Sequence, residues 1–171
     1  MQAGYGAGCE YLSQGFFPIV PGGYLTDNNL MQAARIYAFD LLTQNIDRSF
    51  APDRRPNCAH VGDRLIAYDF EMCFSFTISL FNPYKAWEVS KHGLNTPHVF
   101  HRQLRNAMQK GKADFAPFTA DLNALNVADC MLAAQGLPSA WAIHAAKIET
   151  HLREIVANSG AFHQELHRSL A

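Results

Sequence analysis

Residues 43–74 read TQNIDRSFAPDRRPNCAHVGDRLIAYDFEMCF, and how this stretch turns back on itself decides the fold around it. Val61-Gly62-Asp63-Arg64 lies between the runs Cys58-Ala59-His60-Val61 and Leu65-Ile66-Ala67-Tyr68. A Gly-Asp pair in that setting suits a two-residue hairpin loop, which follows the twist of the strands it joins. Pairing Val61 with Arg64 places Asn57 opposite Tyr68 and leaves Asp69 one step beyond. Asn57 and Asp69 are therefore expected to meet at the open end of the hairpin. An amide oxygen beside a carboxylate suits a hard cation, and Mg²⁺ is usually held by one or two such oxygens together with substrate phosphates.

The loop ahead of the hairpin carries Asp47 with Arg48, then Asp53, Arg54 and Arg55. The order is thus Asp, Asn, strand, turn, strand, Asp, which is the order in which protein kinases place their catalytic base and metal ligands. The plainer alternative is a polar loop whose Asn and Asp serve only as turn residues. Arg48, Arg54 and Arg55 have two readings of equal weight. A guanidinium fork suits phosphate oxygens, and it equally suits fastening a loop through carboxylates and carbonyls.

The pattern Asp40-Leu41-Leu42-Thr43-Gln44-Asn45-Ile46-Asp47-Arg48, followed by Arg54-Arg55-Pro56-Asn57 and then Tyr68-Asp69-Phe70-Glu71, resembles that of the HipA-like serine/threonine kinases, in particular their short HipA-related branch. The resemblance implies a catalytic Asp47, with Asn57 and Asp69 as magnesium ligands. The ten positions from Asp47 to Asn57 exceed the spacing in relatives, so Asp53 is an alternative catalytic Asp. Glu71 stands where ordinary protein kinases have the Gly of Asp-Phe-Gly. The segment from Tyr5 to Leu12 resembles the link between kinase lobes where adenine binds, which makes Cys9, Glu10 and Tyr11 expected nucleotide contacts alongside Arg48, Arg54 and Arg55. ATP and Mg²⁺ are the implied cofactors.

A chain of 171 residues, 49% hydrophobic and 12% aromatic, can bury a core and is expected to form one domain. Its 14 basic and 15 acidic side chains nearly cancel, and no basic run exceeds two residues, so direct nucleic-acid binding is not expected. No apolar run reaches the roughly 20 residues of a membrane span, and no signal segment is read at the start. Four scattered cysteines without C-x-x-C spacing suit reduced thiols in a cytoplasmic protein, with a disulfide pair as the lesser reading. His98/His101 and His163/His167 have helical spacing, but the sequence puts no suitable third metal ligand near either pair, so structural or surface roles are expected.

Residues 1–26 read as loop with a short extended piece, the glycines of 4–8 being a flexible start and not a phosphate loop. Thr26 or Asp27 caps a helix over 28–44, with Leu30, Ala34, Tyr37 and Leu41 on its buried stripe. Asp40 falls inside that pattern. Buried, it needs hydrogen bonds from the loop backbone or from an Arg, a second catalytic carboxylate being the sharper alternative. The apolar run 72–81 is expected beneath the site. Helices follow over 98–110, 115–123, 127–135, 139–157 and 160–170. In the fourth of these, Trp141, Ala145, Ile148, Leu152 and Ile155 form a stripe for the core or, less expectedly, for a partner.

The expected fold is mostly α with a small β-hairpin (α+β). The resemblance makes it a protein-kinase-like C-terminal lobe of the HipA type: link and loop at 1–26, catalytic helix, loop and hairpin at 27–81, and a helical subdomain at 82–171. Neither the glycine-rich cover nor the strand Lys of a kinase N-lobe is found before Asp47. The expected partners are consequently a protein substrate, or a protein of N-lobe or antitoxin type. A kinase-like lobe that only binds such a partner is the competing expectation. Hydrolysis by Asp47 with Asp53 lacks a supporting nucleophile pattern.

Overall fold

The computed structural model describes residues 16–19, 25–50, 56–78 and 84–171. These form a mostly helical α+β arrangement with one small antiparallel sheet. The first helix, α1 (Asp27–Leu42), is the piece on which the rest is assembled. Leu30, Ala33, Ala34, Tyr37, Ala38 and Leu41 are all buried along it, as the 3.6-residue period of apolar positions requires.

The sheet lies against α1. Strands β2 (Cys58–Val61) and β3 (Arg64–Ala67) pair antiparallel with Val61 opposite Arg64 and Cys58 opposite Ala67. Gly62 has φ of +59°, while Asp63 is not among the positive-φ residues. That is the φ pattern of a type II′ turn, which needs glycine at its first central position. A third strand, β1 (Phe16–Pro18), pairs with the other edge of β2, so the sheet is larger than the hairpin expected from the sequence. Pro18 is tolerated because β1 is an edge strand, where a missing N–H costs no ladder bond. With a neighbour on each side, β2 is interior, and Cys58 and Ala59 are fully buried.

After the sheet the chain makes a short 3₁₀ turn at Ser75–Ile78. Of the apolar run expected beneath the site, residues 72–76 are half-buried, Thr77 is buried and Ile78 is 74% exposed, while 79–81 lie outside the described residues. Phe74, at φ of +57°, bends the backbone so that consecutive side chains of the run cannot share one buried face.

Among the described residues, five further α-helices follow: α2 (His101–Gln109), α3 (Ala116–Asn123), α4 (Val127–Leu132), α5 (Ala142–Ala157) and α6 (Ser159–Arg168). Helix α2 is closed by Gly111 at φ of +65°, with Gly111 N–H donating to Met108 and Lys112 N–H to Ala107, the paired bonds of a Schellman cap. Helix α6 returns to α1, where the Tyr37 hydroxyl and Ser169 Oγ are 2.9 Å apart. The core joins Tyr37 to Phe100, Phe115, Phe162 and Leu166, each essentially without exposure. Burial pushes the Tyr37 phenol above its ordinary range, against a smaller opposing effect of Ser169. None of the described helices is long and apolar enough to cross a membrane.

Candidate active site

Among the described residues, a buried ion pair ties the end of α1 to the chain that follows it. Asp40 and Arg48 both have side chains with no accessible surface, and Arg48 Nε donates to Asp40 Oδ2 at 2.9 Å. Arg48 Nη2 and Asn45 Nδ2 donate to Asp40 Oδ1 at 3.4 and 2.8 Å. His98 completes the set: its Nδ1 accepts from the Phe100 N–H, so the proton is on Nε2, which donates to Asp40 Oδ2 at 3.1 Å. Burial alone would raise the Asp40 carboxyl, but His98 and Arg48 outweigh it and hold the group below the usual carboxylate range. Burial likewise holds His98 below the ordinary imidazole range, against the pull of Asp40. Asp40 is thus the carboxylate whose donors the sequence called for.

The other end of the Arg48 guanidinium reaches the base of the hairpin. Its Nη1 donates to the carbonyls of Pro56, Asn57 and Tyr68, and the Phe70 ring lies 5.2 Å from its central carbon. Fully buried and directed at these acceptors, Arg48 has the loop-fastening role and is not placed to clamp a phosphate. A planar fork that spans a carboxylate and several carbonyls is what a lysine could not supply.

This fastening sets three polar side chains around one point. Asn57 Nδ2 donates to Asp47 Oδ2 at 2.5 Å and lies 3.5 Å from Asp69 Oδ2. The expected cross-strand register holds as well, with Tyr68 N–H donating to the Asn57 carbonyl at 3.0 Å. Asp47 is placed by its own N–H, which donates to Asn45 Oδ1. Asp47 and Asn57 are half-buried, and Asp69 is exposed. Half a turn of the Asn57 amide would present Oδ1 to the same point, giving three oxygens for a cation. Asn57 and Asp69 have φ of +46° and +57°, the left-handed region that Asn and Asp enter most readily among side chains with a Cβ, and still at a cost.

The hairpin is held at both ends by α1. At its tip, Gln32 donates to the Asp63 carbonyl at 3.2 Å and accepts from Leu65 N–H at 2.9 Å. At its base, Asp40 acts through Arg48. Beyond Asp69, a groove of about 430 Å³ opens between residues 71–78 and the start of α5, with Glu71, Ile78, Trp141 and His144 in its walls.

Of the residues singled out in the sequence, Asp47, Asn57 and Asp69 are brought together, and Arg48 lies behind them. Asp53, Arg54 and Arg55, and Cys9, Glu10 and Tyr11, lie outside the described residues. Sequence reasoning missed His98 as a member of the site. It is 58 positions from Asp40 and gave only a helical-spacing signal with His101. No protein-family model matches the chain, and neither does any curated protein or solved structure.

Proposed function

We propose that this chain is the metal- and nucleotide-holding lobe of an ATP- and Mg²⁺-dependent phosphotransferase similar to the HipA-like kinases, with a hydroxyl acceptor, a protein Ser/Thr being the first choice. The observation that carries this reading is the meeting of Asp47, Asn57 and Asp69 at the open end of the hairpin, with two of the three held in left-handed backbone. Residues kept in such a conformation by their surroundings are typical of functional sites. Asn57 and Asp69 would hold the magnesium ion, which when bound supplies positive charge to phosphate oxygens. Asp47, steadied by Asn45, would orient an acceptor hydroxyl and take its proton. Positioning and preorganised charge would provide most of the rate enhancement. The groove beside Glu71 and Trp141 offers an acceptor segment a place next to Asp69.

The test is calorimetric titration of the folded chain with a non-hydrolysable ATP analogue, with and without Mg²⁺, beside Asn57→Ala and Asp69→Ala. Magnesium-dependent binding that both substitutions abolish is the expected result. Binding that ignores either substitution would remove the hairpin base from the reading.

A second reading is favoured by one further observation. Leu132, Leu137, Trp141 and Ile143 are large apolar side chains between 46% and 63% exposed around the start of α5. Such a surface suits a lobe that acts by holding a protein partner of N-lobe or antitoxin type. Absence of any nucleotide binding in folded protein would favour this reading over the first.

A further inference from the structure

His163 and His167 stand one turn apart on α6, and the fold brings Asp114, from the connection between α2 and α3, against them. One ligand atom from each of the three lies within 4.8 Å of the others, and His167 Nε2 is 4.0 Å from Asp114 Oδ1. A tetrahedral zinc ion with bonds of about 2.0–2.1 Å sets its ligand atoms about 3.3 Å apart. Closing the cluster onto such an ion therefore needs only side-chain movements of an ångström or so. We propose that Asp114, His163 and His167 form a zinc-binding site, separate from the hairpin base and sharing no residue with it.

The surroundings of each ligand argue for more than chance proximity. The Thr119 hydroxyl lies 3.1 Å from the Phe115 carbonyl, which also accepts the Thr119 N–H at 2.9 Å. The hydroxyl also lies 2.8 Å from His163 Nδ1, where either atom can be the donor. A metal on Nε2 would require Nδ1 to carry the imidazole hydrogen and donate it to the Thr119 hydroxyl, which can accept it while donating to the Phe115 carbonyl. An outer hydrogen bond that fixes ring and tautomer in this way is the usual support of a metal-binding histidine. His167 meets the fully buried Phe115 ring edge to face, centroids 5.4 Å apart at 81°, and the His163 and His167 rings are 4.7 Å apart. Asp114 Oδ1 accepts from the Ala116 N–H at 3.1 Å, fixing the carboxylate at the start of α3.

Two imidazoles with one carboxylate select zinc or another late divalent transition metal over magnesium or calcium, which prefer all-oxygen sets. Three protein ligands leave a fourth position on a tetrahedral ion. Because Asp114 and His167 are exposed and His163 is half-buried, that position faces solvent and can take water or an anionic group. The ion would join the α2–α3 connection to α6, two parts of the chain that are far apart in sequence.

The test is zinc titration of the purified full chain against a chromophoric chelator, repeated with cobalt(II) for its visible absorption. Asp114→Asn and His167→Ala would be measured beside Thr119→Val, which keeps the volume of the threonine. One equivalent of zinc is expected, with a cobalt spectrum of tetrahedral intensity and a higher thermal midpoint on metal addition. His167→Ala and Asp114→Asn should each weaken binding at least tenfold, and loss of the outer hydrogen bond in Thr119→Val should cost about 10-fold or more. Failure to take up zinc, or an affinity unchanged in both Asp114→Asn and His167→Ala, would overturn the proposal. An affinity unchanged in Thr119→Val alone would remove the argument from tautomer.

Discussion

At the scale of single residues, Arg48 carries the greatest consequence. Replacing it with Met leaves the Asp40 carboxylate buried beside a neutral side chain and strips the carbonyls of Pro56, Asn57 and Tyr68 of a shared donor. Breaking a buried pair from one side costs about 3–5 kcal/mol, so urea unfolding of Arg48→Met should show a loss of that size. Asp69 makes the opposite case. Glycine is at ease where φ is +57°, so Asp69→Gly should leave stability unchanged or raise it by up to about 1 kcal/mol. The same change removes a carboxylate from the proposed magnesium site, and magnesium-dependent nucleotide binding should vanish. A variant that is both less stable and unaltered in binding would mean that the left-handed backbone at Asp69 has no functional purpose.

At the scale of elements, the site depends on how the hairpin lies on α1. Gln32 holds the tip from both sides with one amide, and no apolar contact can replace that pair of bonds. Gln32→Ala should destabilise the chain by about 1–2 kcal/mol and weaken magnesium-dependent binding, because the Asn57 and Asp69 end moves with the hairpin. Hydrogen exchange at Leu65 would register the loosening directly.

Much of this element was legible in the residues. Gly62-Asp63 between two apolar runs set the register, and the register brought Asn57 and Asp69 together. Asp40, polar within an apolar stripe, required partners, and Arg48 was one of the few candidates. Strand β1 was less legible, because three residues ending in proline have no alternation to read and their pairing with β2 spans some forty positions. The run after Asp69 misled for a related reason: a continuous apolar stretch does not reveal whether its backbone turns, and Phe74 turns it. The proposed third ligand beside His163 and His167 was invisible because Asp114 is a neighbour only once α3 packs on α6.

At the scale of the whole molecule, two buried imidazoles link stability to pH. Burial holds His98 and His151 below the ordinary imidazole range, and His151 Nε2 donates to the Leu42 carbonyl at 2.7 Å. Each has a lower pKa folded than unfolded, so the unfolded chain takes up protons that the folded chain resists. Their contribution is full above about pH 6.5 and declines as pH falls below it, by up to about 1.4 kcal/mol per pH unit for each proton. Asp40, also lowered on folding, loses its contribution only below about pH 4. Unfolding free energies measured from pH 7.5 down to 5 should decline steadily, and His151→Phe should flatten that decline by about one proton's share.

The groove beside the hairpin base contains one of the two tryptophans of the chain. Trp141 is 57% exposed, while Trp87 packs half-buried against the core. The two indoles should therefore differ in emission colour and in access to a soluble quencher, with the redder and more quenchable share belonging to the groove. Replacing Trp87 with Phe leaves a single emitter at the mouth of the proposed acceptor channel. Its light then gives an optical gauge of occupancy, so peptides can be screened there before any phosphorylated product is sought.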